Sequence, residues 1–213
     1  MKVFRLMFFA FLFLLLTIGS VSAKDNSKFA FTAYGGVDIM GKADQDSDYE
    51  ELDGDEDISP GISLGIEGAM ALDTSIYAGL GFQGRLPRDI DGDGYETGYS
   101  AIIPYLLFQF NIPDADQYTP YLIAHLGYNV PFADSSEGED KLEEETIAVN
   151  PKFDVTGGVY FGFGGGFHFT EDVGMRIFYS VCYGENKFTA DNVASDNMDV
   201  TITMLSLAVT YSF

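Results

Sequence analysis

Four charged side chains interrupt segments that otherwise alternate between apolar and small residues: Asp38, Glu67, Arg85 and Arg176. Alternation with a period of two puts them on the face opposite the apolar one. A charge taken out of water must be paired, because an isolated one is expensive. Counting from the ends of their segments predicts two levels: Glu67 with Arg176 at one height, and Asp38 with Arg85 above it. Tyr34, Gln83, Tyr160 and His168 share that polar face, and Gln109 and His125 join them. Such a set either plugs an enclosed space or gates it.

A second constellation is DIDGDGYE, Asp89 to Glu96. Asp89, Asp91 and Asp93 stand at alternate positions and Gly94 allows a sharp turn, an oxygen-ligand spacing that suits Ca²⁺. The helix-flanked calcium loop asks for Glu at its twelfth position, where this chain has Ser100, so the alternative is a solvated acidic loop. Asp44, Asp46 and Asp48 repeat the alternation without the Gly. Catalysis is not expected. His125 and His168 are the only histidines, and neither stands beside a nucleophile motif. Cys182 is the single cysteine, which excludes an intramolecular disulfide and reads as a small filler.

These residues are carried by eight alternating segments: 29–40, 58–72, 75–86, 96–112, 120–132, 153–169, 173–187 and 198–213. In the second, Ile58, Pro60, Ile62, Leu64, Ile66, Met70 and Leu72 face one way, and Ser59, Gly61, Ser63, Gly65 and Glu67 the other. The fourth contains AIIPYLLFQF, apolar on both faces, which leaves its register open. The connections are 17, 2, 9, 7, 20, 3 and 10 residues long in chain order. Short and long links in turn are the pattern of an up-and-down transmembrane barrel. The fold class is therefore all-β, an eight-stranded antiparallel transmembrane β-barrel. A soluble barrel with an apolar cavity is the structural competitor. It is disfavoured because the polar face consists mostly of Gly, Ala, Ser and Thr, which suit a narrow lumen better than a solvated exterior.

Residues 1–23 are predicted to be a secretory signal peptide, with Lys2 and Arg5, the apolar run FFAFLFLLL and a small-residue cleavage site at Val21–Ser22–Ala23. Residues 24–213 then form one barrel domain. The formal charge is −22, and loss of Lys2 and Arg5 makes it −24. Nine acids and no base lie between Asp44 and Asp57, and seven acids with one Lys between Asp134 and Glu145. Such a chain repels nucleic acid and attracts divalent cations.

The stretches PYLIAHLGYN, GGVYFGFGGGFHFT, Val173-Gly174-Met175-Arg176 and the terminal Tyr211-Ser212-Phe213 resemble the small outer-membrane β-barrel family that includes the OmpA barrel domain, OmpX and OmpW. The resemblance spans Phe29 to Phe213 and does not extend to a peptidoglycan-binding domain. It implies location in a bacterial outer membrane, contact with outer-membrane lipid, and assembly by the β-barrel machinery, with Tyr211 and Phe213 as the assembly signal. The resemblance says little of activity; the acidic outer loops and the lack of a catalytic motif lead to the expectation of a non-enzymatic structural or surface-interaction role, with those loops meeting cations or a host surface. A small channel for hydrophobic or small polar solutes is the first alternative and a barrel enzyme the second.

Overall fold

The computed structural model describes residues 29–46, 54–91, 96–113, 119–134, 152–190 and 193–213. Ten strand segments follow one another: β1 (Phe29–Asp46), β2 (Gly54–Ile58), β3 (Gly61–Ala71), β4 (Ile76–Asp91), β5 (Glu96–Asn111), β6 (Thr119–Asp134), β7 (Lys152–Thr156), β8 (Gly158–His168), β9 (Val173–Ala190) and β10 (Val193–Ser212). β2 and β3 are one stave interrupted at Ser59–Pro60, and β7 and β8 one stave interrupted at Gly157. Eight staves result. Each pairs antiparallel with its neighbours in the chain, and β1 closes on β10 from Thr32↔Ser212 to Asp46↔Asp199.

Two interruptions have local causes. Pro60 has no N–H to give to a ladder, so strand pairing lapses beside it. At Gly157 a Cβ would collide with the carbonyl oxygen of Asn129, so only glycine fits. Tyr128 donates its hydroxyl to the Gly157 carbonyl at 2.7 Å, which satisfies a group the ladder leaves free.

The alternation sorts side chains as a lipid-facing barrel requires. Leu80, Phe82, Phe108, Leu122, Phe163 and Val209 point outward and are about half exposed, as are many other large apolar side chains around the wall. Water would not tolerate so continuous an apolar coat, whereas a bilayer does. The barrel is therefore a membrane-spanning one. Inside, glycines make room for rings on the next stave: a Cβ at Gly65 would overlap Tyr34, and one at Gly81 would overlap Tyr105. The open register of the fourth segment resolves with Ala101, Ile103, Tyr105 and Leu107 inward and Leu106 and Phe108 outward.

Short turns gather at one end. Leu72 N–H donates to the Ile76 carbonyl at 2.8 Å, Asp73 Oδ1 caps the Thr74 N–H at 2.7 Å, and Thr170 Oγ1 accepts from the Val173 N–H at 3.0 Å. The last strand reaches the same end, where Phe213 N–H bonds the Phe31 carbonyl.

Several boundaries differ from those read in the sequence. The staves run further at the end away from the short turns. β4 continues to Asp91 and β5 begins at Glu96, so the nine-residue link 87–95 reduces to 92–95; likewise 188–197 reduces to 191–192. Polar residues continue the ladder because backbone pairing does not depend on an apolar side chain. Ile58, expected on the outward face, is buried inside, because the break at Ser59–Pro60 changes the phase of the alternation.

A closed barrel offers no edge from which unfolding can start. Unheated in detergent, the protein is expected to migrate on a gel as a compact species and to shift on boiling. Equal mobility before and after boiling would rule out this architecture.

Candidate functional site: the lumen

Two bulges aim the inner charges. β1 carries one extra residue, Ile39, so its pairing with β10 passes from Asp38↔Ser206 to Met40↔Leu205. β4 slips between Arg85 and Arg88, where Leu86 and Pro87 leave the register. A bulge inverts the inward phase of everything beyond it. Arg85 and Arg88 therefore both point inward although they are three residues apart, and both are buried.

This overturns one expected pairing. Asp38 is not held by Arg85. Arg88 Nη1 lies 2.6 Å from Asp38 Oδ2. Ser63 donates to Asp38 Oδ1 at 3.3 Å and Ser206 donates to the same oxygen. Arg88 also donates to the Ile62 carbonyl at 3.3 Å and rests against Met204 Sδ. Arg85 turns to the opposite wall, where it donates to Ser180 Oγ at 2.7 Å and to Cys182 Sγ at 3.3 Å. Below it, Tyr160 donates to Gln83 at 3.3 Å. Arg88 escaped the sequence reading, although Pro87 inside a strand is the signal that marks a bulge.

The lower level is built around Glu67. Its Oε1 accepts from Arg176 at 2.8 Å and from the Tyr105 hydroxyl at 2.9 Å. Tyr105 and Tyr34 share a hydroxyl–hydroxyl bond of 3.1 Å, and the Arg176 guanidinium lies 3.8 Å from the centre of the Tyr34 ring. His125 stacks on Tyr105 at 4.0 Å and leans on Phe178 at 4.4 Å.

Below this layer a cavity of about 490 Å³ opens toward the short turns. Glu67 and Arg176 form its roof; Gln109, Tyr121, His168, Thr210 and Glu171 are among its walls. Gln109 and His168 thus lie at the mouth of the lumen rather than in its packed middle. At the other end, above the Arg88 layer, Ala43, Ile58, Tyr99, Val200, Ile202 and Met204 pack into an apolar layer. The described lumen is therefore a blind chamber below and a filled core above.

The remaining expected sites are spread out. Asp89 and Asp91 belong to β4, opposite Gly98 and Glu96, and Asp93 lies outside the described residues. Tyr211 and Phe213 face outward, with their rings edge-on at 4.9 Å. Residues 1–23, expected as a signal peptide, lie outside the described residues.

No family model matches this chain, and no curated protein does. Solved structures are similar to it. The outer membrane protein OprG of Pseudomonas aeruginosa is 16% identical, with a TM-score of 0.54 over 88% of this chain and 97% of OprG. The outer membrane protein AlkL in lipid bilayers is also 16% identical, with a TM-score of 0.55 over 91% of this chain and 94% of AlkL. At that identity the likeness is one of fold: the chain has the architecture of the small outer-membrane β-barrels. Fold alone does not carry an activity.

Proposed function

We propose that this protein is a closed, non-conducting outer-membrane barrel that acts as a stable platform for an acidic surface. The observation that carries the reading is the filled lumen. Three polar layers, Glu67–Arg176–Tyr105, Arg85–Ser180–Cys182 and Asp38–Arg88, succeed one another beneath an apolar cap. Eight staves leave an interior that side chains just fill. The apolar coat seats the wall in outer-membrane lipid, and assembly by the β-barrel machinery belongs to the same reading.

The surface role rests on where the acids stand. At the end away from the short turns, the backbone register sets acidic residues at opposite positions: Asp44↔Asp55, Asp57↔Asp91 and Asp46↔Asp199. Like charges directly opposite are unfavourable unless something neutralises them. Divalent cations, free or bridging to a neighbouring or host surface, are the natural partners. Ser63 and Ser206 are buried and both donate to Asp38, so neither is set beside a base as a nucleophile.

Purified protein in a planar bilayer at neutral pH is expected to give no discrete current steps. Reproducible steps that vanish when the protein is omitted would establish the alternative, a small channel.

A further inference from the structure

Among the described residues, His125 is a buried side chain with neither ring nitrogen held. It is 1% exposed. Its Nε2 lies 3.5 Å from Glu67 Oε1, the oxygen that already accepts from Arg176 and Tyr105. An unpartnered polar group at that depth costs free energy that its stacking on Tyr105 and Phe178 must offset. Its surroundings are Glu67 from β3, Tyr105 from β5, Tyr160 from β8, Arg176 and Phe178 from β9, and Tyr34 from β1 behind Arg176. Of these, Glu67 and Arg176 are the charged ones, and they neutralise each other.

From this geometry we propose that His125 is a proton-operated latch: on protonation it takes Glu67 from Arg176 and releases the guanidinium into the chamber below. An imidazolium at this place adds one uncompensated positive charge to a neutral pair, which the buried site cannot hold unchanged. Two rearrangements could relieve it. His125 can close the 3.5 Å gap and donate to Glu67, and Arg176 can leave. Only Arg176 has somewhere to go, because it lines the roof of the 490 Å³ cavity while His125 does not. Glu171, on the cavity wall, is a carboxylate within the same chamber that can receive it. Neutral protein therefore has a paired, neutral roof. Acid converts it into a chamber with a free guanidinium, able to hold a small anion.

The chain's two histidines make the test direct. The full barrel in detergent micelles would carry ¹⁵N-labelled histidine and arginine, with His168→Phe assigning the histidine signals by elimination. His125 is expected to titrate as a single proton while the barrel stays folded. The protection of the Arg176 side chain against hydrogen exchange, relative to free arginine at the same pH, should fall along the same curve, by at most about tenfold per pH unit, the limit for one proton. His125→Phe preserves the stacking and should abolish the Arg176 response. A His125 that stays neutral throughout the folded range overturns the latch. So does an Arg176 response that persists in His125→Phe, since His125 would then not be the group that drives it. Neither result touches the closed-barrel reading, which current recordings at neutral pH decide on their own.

Discussion

Replacing Asp38 with alanine is expected to destabilise the barrel by about 3–5 kcal/mol, the usual cost of stranding a buried charge. Arg88 would lose its 2.6 Å carboxylate partner, and Ser63 and Ser206 would lose the acceptor they share. Nothing nearby can substitute. Arg88 is 4% exposed and is enclosed by Met204, the Ile62 carbonyl and the apolar cap. Adding Arg88→Met should recover much of the loss, because a thioether of similar length suits the company of Met204 and leaves no charge behind. Arg85→Met provides the control. Arg85 serves Ser180 and Cys182 across the lumen, so its loss should add to that of Asp38→Ala rather than offset it. Urea unfolding of the refolded barrel in lipid vesicles would measure the wild type, the three single variants and the two doubles. Coupling of Asp38 to Arg85 instead of Arg88 would contradict the bulge at Leu86–Pro87.

That bulge also marks the limit of what the sequence discloses. Period-two alternation is local and survives in any strand with a buried face, so the staves, their sidedness and the closure of the barrel were legible from Leu80, Phe82, Phe161, Phe163 and their neighbours. The inward positions of Asp38, Glu67, Gln83, Arg85, Tyr160 and Arg176 follow from the same counting, and all six are buried. Partner choice does not follow from it. Which cation meets Asp38 depends on a slip of register in β4, and alternation counted through Pro87 places Arg88 on the lipid side. The break at Ser59–Pro60 misplaces Ile58 for the same reason. The fourth segment resisted reading because Ile103 and Leu107 fill the lumen while Leu106 and Phe108 face lipid, and hydropathy cannot tell those environments apart. Strand ends were lost where acidic residues carry the ladder past the apolar belt, as at Asp91 and Glu96.

Glu67→Ala is expected to destabilise the barrel as well, but by less than Asp38→Ala. The reasoning turns on where water can go. Arg176 and Glu67 are paired at 2.8 Å and both are buried, yet they form the roof of the open chamber. Once Glu67 is gone, Arg176 can turn down and recover hydration, or meet Glu171, relief that Arg88 lacks in its sealed layer. A loss of about 2–3 kcal/mol is expected, at or below the lower limit for broken buried pairs. Arg176→Ala alone leaves Glu67 its bond from Tyr105 at 2.9 Å, but not a counter-charge. The double substitution should be milder than the sum of the single ones, with a coupling of about 1–2 kcal/mol. Unfolding in the same vesicles would measure the cycle. Strictly additive losses would mean that the two side chains do not meet. A Glu67→Ala loss equal to that of Asp38→Ala would mean that the chamber beneath the roof is not open to water.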